Sequence, residues 1–507
     1  MVIWLWRIFR GPKTLFVLKS VKPIYLYSFI FLMGLVIYFQ NAWVEGFFHD
    51  GYLYSALGKH ALEKGRWLVP YLSETKWSEF NQHPPFVFML LGLFFNFFGV
   101  SFTIARIFGA IWTILTLIIF TRFVLKTFKG HKKVNYLVFY FAVAFLINMI
   151  LIKKSRFPGL DTPLLFFGTC CYLSYYKNLI SMKNGKDVRF SWLWTGTFFG
   201  LSLLTKGIAA LLILPGFFIF PIIQKSFKKT FFSIYPWLGL ILGFAIFSIW
   251  PLLLSMEGKV YIFTSYLENQ FLWSVVNGRG GESINFFSYF ISLFVAAPLT
   301  FCFSLFGVKR IINKTPEASS FLNFAIFNLV WFLSMLIPLS LMSHKYVHYL
   351  ILSFPGFALV SAYGVISLKD LWLERGHKVV LVLFVLLNFI LLIFPVGSKS
   401  GRSKDLFKVK SYLELLNISK TEDWYVRTKR LHPEAGLDNE EISYWVGFTY
   451  SRNVNFLHEN EILESIQKAK TNSVFLLEKN ILKTPGVDHL KFLLSGRNCD
   501  CAYYLKN

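Results

Sequence analysis

The chain has 507 residues, of which 55% are hydrophobic and 19% aromatic, and its formal net charge is +25. A soluble domain is usually about 45–50% apolar, and here the apolar residues form runs long enough to cross a bilayer of about 30 Å. These values exclude an ordinary soluble protein and predict an all-α polytopic membrane protein. The positive charge is attributed to cytoplasmic loops, which are rich in Lys and Arg, and no nucleic acid partner is expected.

The apolar residues form twelve segments along the chain. They lie at residues 24–43, 84–98, 104–125, 134–152, 162–179, 190–206, 208–224, 231–254, 286–308, 321–342, 350–368 and 379–396. Segment 84–98 is short for a span and begins with two prolines, so we interpret it as a helix at the outer membrane interface. About eleven transmembrane helices remain.

The distribution of basic residues supports this count. With 84–98 left out, every basic loop falls on the cytoplasmic side, as the positive-inside rule requires. These loops are 126–133, 177–189, 225–229, 309–314 and 369–378. Residues 1–22 are also basic, and they are interpreted as a cytoplasmic N-terminus before an uncleaved first span. The sequence therefore predicts a multi-pass protein of the cytoplasmic (inner) membrane.

The extracytoplasmic parts follow from this topology. They are loop 44–103 with its interfacial helices, loop 153–161, a tight hairpin near Lys206, loops 255–285 and 343–349, and the C-terminal tail. Residues 1–397 are predicted to form the transmembrane domain, and 398–507 a small extracytoplasmic α/β domain. In that domain "NSVFLLEKN" and "CAYYLK" are typical of strands, and "HENEILESIQKAK" of a capped helix.

Two acids stand at the outer ends of apolar runs. Asp50 follows the first span, and Asp161 opens another. Ionisable groups at membrane depth are costly and usually functional, so we expect the two carboxylates to face one extracytoplasmic cavity. For Asp161 alone, in "LDTP", the alternative is a helix N-cap, because Asp is favoured there.

Several cations are expected on the same side of the membrane. Lys153 is interpreted as a side chain that reaches toward lipid headgroups, whereas the others suit a phosphate or pyrophosphate ligand. These others are Arg106, Lys154, Arg156, Lys206, Arg279 and Lys345.

Histidines are also predicted outside. His49, His83 and the two acids could bind a divalent metal ion, but their order and spacing match no recognised metal motif. His344 and His348 flank Lys345. Whether the protein binds a metal ion is thus left open, and no other cofactor is expected. Cys499 and Cys501 form "NCDC", for which both the reduced and the disulfide state stay open.

Six short elements occur in a fixed order across most of residues 1–365. They are Asp50, "HPPFVF" (83–88), Arg106, Asp161 with "TPLLFF", "GLSLLTKG" (200–207) and "SHKYVHYLILSFP" (343–355). In this order the chain resembles the GT-C fold glycosyltransferases of the ArnT and protein O-mannosyltransferase group, with the RgtA/B/C/D-like enzymes. The first motif departs from the usual pattern of adjacent acids, since it is His49-Asp50-Gly51.

The resemblance implies an inverting transfer of a sugar from a polyprenyl-phosphate donor to a cell-envelope lipid, glycan or protein. Asp50 would be the general base, and Asp161 would orient the acceptor or help a bound ion to do so. Lys206, Arg279, Lys345 and Tyr349 would hold the lipid phosphate. His83, Arg106, Lys154, Arg156 and His348 are further expected substrate-binding residues.

Alternatives are left open both for the acceptor and for the class of protein. Lipid A or lipopolysaccharide and protein Ser/Thr are both compatible acceptors, the latter as in protein O-mannosyltransferases. A lipid-linked glycan flippase or transporter is the main rival of another class, although transporter sites usually lie near the membrane midplane between internal repeats, and no repeat is evident. An O-antigen ligase or polymerase would also work on the outer face.

Overall fold

A computed structural model describes residues 23–506, apart from 41, 45, 48, 273–284, 315–319, 343–345, 395–403, 419, 428–438, 479–488 and 496–500. The described part is mainly helical. In chain order its α-helices are α1 Pro23–Phe39, α2 His49–Glu63, α3 Phe86–Phe98, α4 Phe102–Thr127, α5 Val134–Leu146, α6 Met149–Lys154, α7 Asp161–Lys183, α8 Ser191–Lys206, α9 Leu214–Ile223, α10 Phe227–Phe231, α11 Ile234–Met256, α12 Val260–Leu267, α13 Ser288–Ala296, α14 Pro298–Ile312, α15 Leu322–Leu341, α16 Phe354–Ile366, α17 Asp370–Ile393, α18 Lys404–Leu415, α19 Asn439–Tyr450 and α20 Ile462–Lys468.

Six helical stretches of the described chain are long and apolar enough to cross a membrane, or seven if one bent pair is a single span. They are Phe102–Thr127, Ser191–Ile223, Ile234–Met256, Leu322–Leu341, Val347–Ile366 and Gly376–Ile393. The all-α polytopic architecture is confirmed, whereas the number of eleven crossings stays a prediction. Helix α3 has 13 residues and would span only about 20 Å, consistent with an interfacial helix.

The stretch 191–223 reverses direction near its middle. The ring of Tyr175 lies 5.5 Å from that of Trp192 and 4.0 Å from that of Phe217. In a straight helix residues 192 and 217 would be about 37 Å apart, so the chain must turn back between them. The turn falls at Lys206 and Gly207, where φ of Gly207 is +56°. The hairpin expected near Lys206 is therefore confirmed.

Two of the expected spans are interrupted. Residues 134–152 form two helices because the side chain of Asn148 accepts hydrogen bonds from the backbone N–H groups of Ile150 and Leu151 and caps α6. Such side-chain bonds compete with helix continuation. Helices α13 and α14 bend by 117°. The bend falls at Ala297, which precedes Pro298 and has a non-helical backbone with φ −155° and ψ +68°, and the α conformation is disfavoured for a residue before proline.

Helices α8 and α11 approach each other closely along glycines. A Cβ atom at Gly196 would overlap the carbonyl oxygen of Gly239, and one at Gly200 would come within 2.6 Å of the carbonyl oxygen of Gly243. Small residues four positions apart let helix backbones pack in membranes without a hydrophobic driving force. This contact fixes α8, whose last residue is Lys206.

The described residues divide into two compact units. The first comprises those within Met1–Gln40, Gly109–Arg156 and Leu160–Gly397, and the second those within Asn41–Phe108, Phe157–Gly159 and Ser398–Asn507. The first unit has a continuous apolar core that includes Trp331, Tyr172 and Phe120. The division of the chain at residue 397 into a transmembrane and a C-terminal domain stays a prediction.

In the second unit the loop after α1 and the C-terminal part pack together. The ammonium of Lys59 in α2 donates to the carbonyl oxygen of Phe448 in α19 at 2.7 Å. Thr75 donates to the carbonyl oxygen of Val454 at 2.9 Å. The ring of Phe448 also contacts that of Phe47 at 6.1 Å. The C-terminal part is thus bound directly to the segment that carries Asp50.

The C-terminal part contains a five-stranded mixed sheet. Its strands are β1 Trp424–Arg427, β2 Val454–Phe456, β3 Val474–Glu478, β4 Leu490–Ser495 and β5 Cys501–Lys506, in the order β2-β1-β3-β5-β4. Strands β1, β2 and β3 are parallel, with Trp424 opposite Val454 and Val474, and β5 is antiparallel to β3 and β4. The two predicted strands and the helix, capped by His458 and Glu461, are confirmed. Cys501 is disulfide-bonded.

Candidate active site

Asp161 lies at the centre of a cluster of charges in the first unit. Its carboxylate pairs with the ammonium of Lys206 through Oδ1 and lies 3.5 Å from that of Lys154 through Oδ2. The side chains of Asp161, Lys206 and Lys154 are only 7%, 11% and 15% exposed. Helix α7 begins at Asp161 with Leu160 as N-cap and no side-chain cap bond. The N-cap interpretation of Asp161 is therefore wrong, because its carboxylate is engaged by the lysines.

Aromatic residues of the 3-10 turn Val347–Ser353, which directly precedes α16, border this cluster. The ammonium of Lys206 lies 5.1 Å from the ring centre of Tyr349. His348 packs its ring against Tyr349 at 4.9 Å and interacts electrostatically with the Asp161 carboxylate. Five of the predicted site residues, Lys154, Asp161, Lys206, His348 and Tyr349, thus lie together.

Lys206 is held in place by the hairpin that follows it. Gly207 has φ +56°, and a Cβ there would overlap the hydroxyl of Tyr266. The same hydroxyl accepts a hydrogen bond from the backbone N–H of Ile208 at 3.2 Å. Sequence reasoning missed Tyr266, because nothing in "FTSYLEN" marks it as a neighbour of the hairpin.

The composition of this cluster favours an anionic ligand. Two lysines face one carboxylate in a largely buried place, so the three groups together carry a positive charge. Buried charges require compensation, and a phosphate group supplies oxygen acceptors for several ammonium donors at once. The cluster can therefore bind and stabilise a phosphate.

Asp50 lies in a second cluster, within the second unit. It is in the first turn of α2, and its Oδ1 lies 3.6 Å from Nδ1 of His49. Nε2 of His49 lies 3.2 Å from Oε2 of Glu440 in α19, and Oε1 of Glu440 is 2.6 Å from Nζ of Lys76. Sequence reasoning missed Glu440 and Lys76, since both are surface-type residues in segments without a motif.

Arg106 and His83 belong to the same unit as Asp50. The guanidinium of Arg106 donates to the carbonyl oxygens of Val44 and Gly46 and lies 5.0 Å from the ring centre of Phe47. It braces the segment that leads into α2. His83 packs its ring against those of Tyr54 and Phe80 at 6.1 and 6.3 Å.

The remaining predicted residues have different outcomes. Arg156 is 2% exposed and donates to the carbonyl oxygen of Ile37 at 2.7 Å, so it is anchored in the core of the first unit. Arg279 and Lys345 lie outside the described residues. Asp50 and Asp161 belong to different units, and the expectation that they face one cavity stays a prediction, as do the substrate-binding roles.

No group of three or more His, Cys, Asp and Glu side chains in the described parts of the chain is placed to hold a metal ion. His49, for which the sequence allows a metal-ligand role, lies between the carboxylates of Asp50 and Glu440.

Comparison with known proteins finds a family match over part of the chain and a distant relative over most of it. Residues 82–251 match the family described as dolichyl-phosphate-mannose-protein mannosyltransferase. An uncharacterized protein of Aquifex aeolicus (strain VF5) is 23% identical over 482 residues, which cover 88% of this chain and 89% of that relative.

Solved structures show the fold of the chain. ArnT from Cupriavidus metallidurans in the apo state has a TM-score of 0.69 at 12% identity, covering 95% of this chain and 97% of ArnT. The same enzyme bound to undecaprenyl phosphate gives 0.66 at 11% identity and the same coverage. The oligosaccharyltransferase AglB from Archaeoglobus fulgidus gives 0.54 at 12% identity, covering 90% of this chain and 69% of AglB. The chain thus has the GT-C fold of membrane glycosyltransferases, and the resemblance expected from the motifs is confirmed.

Proposed function

We propose that the protein is an inverting glycosyltransferase, which moves a sugar from a polyprenyl-phosphate donor to an acceptor of the cell envelope. The observation that carries this proposal is the pairing of Asp161 with Lys206 and Lys154 beside Tyr349. It supplies a positively charged, partly buried place for a lipid phosphate. The proposal is further supported by the fold shared with ArnT, which binds undecaprenyl phosphate in one of its structures.

The reaction requires a base and a way to stabilise the leaving phosphate. Asp50 accepts the proton of the acceptor hydroxyl as its oxygen attacks the anomeric carbon. The bond from that carbon to the phosphate oxygen breaks, and its electron pair leaves with the phosphate. Lys206 and Lys154 neutralise the growing negative charge, which lowers the barrier because they are in position beforehand. Asp161 holds both ammonium groups until the phosphate arrives.

A polyprenyl donor also explains why this chemistry belongs in a membrane protein. The polyprenyl tail stays in the bilayer, and only its headgroup has to reach the lysines. The active site and the C-terminal domain are assigned to the extracytoplasmic side of the cytoplasmic membrane, because the basic loops then face the cytoplasm.

The acceptor is proposed to be lipid A, lipopolysaccharide or another envelope glycolipid, which is compatible with the resemblance of the ordered motifs to the ArnT group. A second candidate is a protein Ser or Thr hydroxyl. It is favoured by the match of residues 82–251 to the family described as dolichyl-phosphate-mannose-protein mannosyltransferase.

Mass spectrometry of envelope lipids and glycoproteins tests the proposal and separates the two acceptors. A strain that lacks the chain is compared with strains that express the wild type or Asp50→Asn. We expect one glycolipid to lose a sugar in the deletion strain and in Asp50→Asn, and to regain it with the wild type. A sugar lost only from a glycoprotein would establish the second candidate.

The same strains address the flippase alternative. If Asp50→Asn restores the wild-type envelope completely, the base is not needed and the transferase proposal is wrong. Binding of undecaprenyl phosphate to the purified Asp50→Asn variant is the control, because this substitution is expected to leave the phosphate site intact.

A further inference from the structure

The C-terminal part of the second unit places the carboxylate of Glu440 next to the pair formed by His49 and Asp50. Glu440, in the first turn of α19, lies 3.2 Å from Nε2 of His49 through its Oε2, and Nδ1 of His49 lies 3.6 Å from Oδ1 of Asp50. The imidazole thus stands between two carboxylates, one from each part of the unit. Its ring also meets that of Tyr444 edge-on at 4.8 Å, which limits its rotation.

Glu440 is itself held from several directions. Its Oε1 is 2.6 Å from Nζ of Lys76, and the hydroxyl of Tyr444 lies 3.4 Å from Oε2 and donates to it. Helix α19 is fixed on α2 by the bond from Lys59 to the carbonyl oxygen of Phe448. The orientation of the carboxylate is therefore set by contacts that do not involve Asp50.

We propose that Glu440 is a positioning residue for the transfer reaction, and that it acts through His49 on the base Asp50. The inference rests on the proposed function, since it assigns a partner to the base of that reaction. It gives the C-terminal domain a direct part in the chemistry.

The chemical step follows from the two ring nitrogens. A carboxylate at Nε2 favours the tautomer that carries its proton there, so that Nδ1 presents a lone pair to Asp50. After Asp50 has taken the proton of the acceptor hydroxyl, the 3.6 Å separation of Oδ1 and Nδ1 shortens to a hydrogen bond in the substrate complex. Asp50 then passes the proton to Nδ1 and becomes a carboxylate again, and the imidazolium releases the proton to water before the next cycle. The resulting imidazolium lies between two negative charges, which stabilise it. No oxidant, metal or further reactant takes part.

A structural role alone does not account for this arrangement. The side chain of Glu440 is about half exposed (49%), and exposed ion pairs add little to stability. Substitution of Glu440 is therefore expected to leave the fold and the phosphate site intact, while the reaction slows. This separation of effects is what the experiment measures.

The test uses the purified full-length protein with synthetic undecaprenyl-phosphate-linked mannose, glucose, galactose and arabinose, and envelope membranes from a strain lacking the chain as acceptor. We expect Glu440→Gln to lower kcat about tenfold, less than the 10²–10⁴-fold contribution typical of a base itself. KM for the donor and binding of undecaprenyl phosphate should stay unchanged. Glu440→Asp should recover part of the rate.

Glu464→Gln is the matched control, because Glu464 is an exposed carboxylate of the same domain that pairs with Lys468 at 2.5 Å. It should keep the wild-type kcat. His49→Gln should resemble Glu440→Gln, and the double variant should be no slower than the slower single variant, since both residues act through one path.

Two results would overturn the inference in distinguishable ways. If the wild type transfers sugar and Glu440→Gln is as fast as Glu464→Gln, or if the two substitutions multiply in the double variant, Glu440 does not act through His49 and the proposed function stands. If the wild type transfers none of the four sugars while the envelope of the deletion strain is normal, both proposals fail.

Discussion

The ammonium of Lys206 at the end of α8 pairs with the carboxylate of Asp161 at the start of α7. The pair connects two of the elements by which the chain resembles GT-C glycosyltransferases. It also couples the hairpin at Gly207 to the charge balance of the site, so that a change in backbone geometry there affects the ligand-binding groups.

Lys206→Ala should weaken binding of undecaprenyl phosphate. A hydrogen bond to a charged group contributes about 1.5–3 kcal/mol, so its loss corresponds to about 10-fold to 100-fold in Kd. Native mass spectrometry of the purified protein with undecaprenyl phosphate measures this. Lys153→Ala is the control, because Lys153 is exposed next to Lys154. Equal affinities of Lys206→Ala and Lys153→Ala for undecaprenyl phosphate would show that Lys206 does not bind the phosphate.

Gly207→Ala should impair both folding and lipid binding. Its φ of +56° is costly for a residue with a side chain, and the added Cβ would overlap the Tyr266 hydroxyl. We expect a loss of about 2 kcal/mol or more in stability, from strain and overpacking together. Gly185→Ala is the matched control, since Gly185 has φ +70° and open space around it. A thermal midpoint for Gly207→Ala no lower than that of the control would contradict the steric argument.

The sequence identifies Asp161, Lys206 and Tyr349 because each belongs to a short local element next to an apolar run. It does not identify Glu440 or Lys76, whose relation to Asp50 depends on tertiary packing of α19 on α2. The strands β1 and β2 also escape prediction, since they have only four and three residues and no alternation long enough to be recognised. Interruption of the segment 134–152 depends on the capping bonds of Asn148, which compete with an otherwise continuous apolar pattern.

The predicted orientation can be tested by cysteine labelling. In a background whose five native cysteines are replaced by alanine, Asn184→Cys should react with a membrane-impermeant maleimide only after permeabilisation, because loop 177–189 is assigned to the cytoplasm. Glu464→Cys in the C-terminal domain should react in intact cells. Both side chains are exposed. The opposite pattern would invert the topology and place the candidate active site inside.

The second unit should lose stability in mild acid through His60. Burial lowers the pKa of His60 from 6.5 to about 4. The hydrogen bond that its Nδ1 donates to the carbonyl oxygen of Tyr71 raises the pKa, but by less than burial lowers it. As the pH falls from 6.5 to 4, the unfolded chain binds a proton that the folded chain does not, so stability falls over this window by up to about 3 kcal/mol. Above pH 6.5 the histidine contributes no pH dependence.

Thermal unfolding between pH 4 and 7.5 measures this effect. His60→Gln should reduce the acid-induced fall of the midpoint, whereas His489→Gln, at an exposed position of the same unit, should leave the fall unchanged. If the thermal midpoint of both variants falls with pH as steeply as that of the wild type, the acid sensitivity of the unit does not come from His60.

Arg106→Lys should disturb the approach to Asp50 although it keeps the positive charge. The guanidinium donates through two nitrogens to the carbonyl oxygens of Val44 and Gly46, and a single ammonium cannot reproduce this fixed fork. Arg106 is 4% exposed, so one carbonyl would be left without its donor, at a cost of about 1–3 kcal/mol. We expect a lower thermal midpoint and a lower kcat, since the segment 44–47 leads directly into α2. Arg122→Lys, at an exposed position of α4, should change neither quantity. If the thermal midpoint and kcat of Arg106→Lys equal those of Arg122→Lys, Arg106 does not brace this segment. Direct contact with a ligand would then be the better explanation of the position of Arg106.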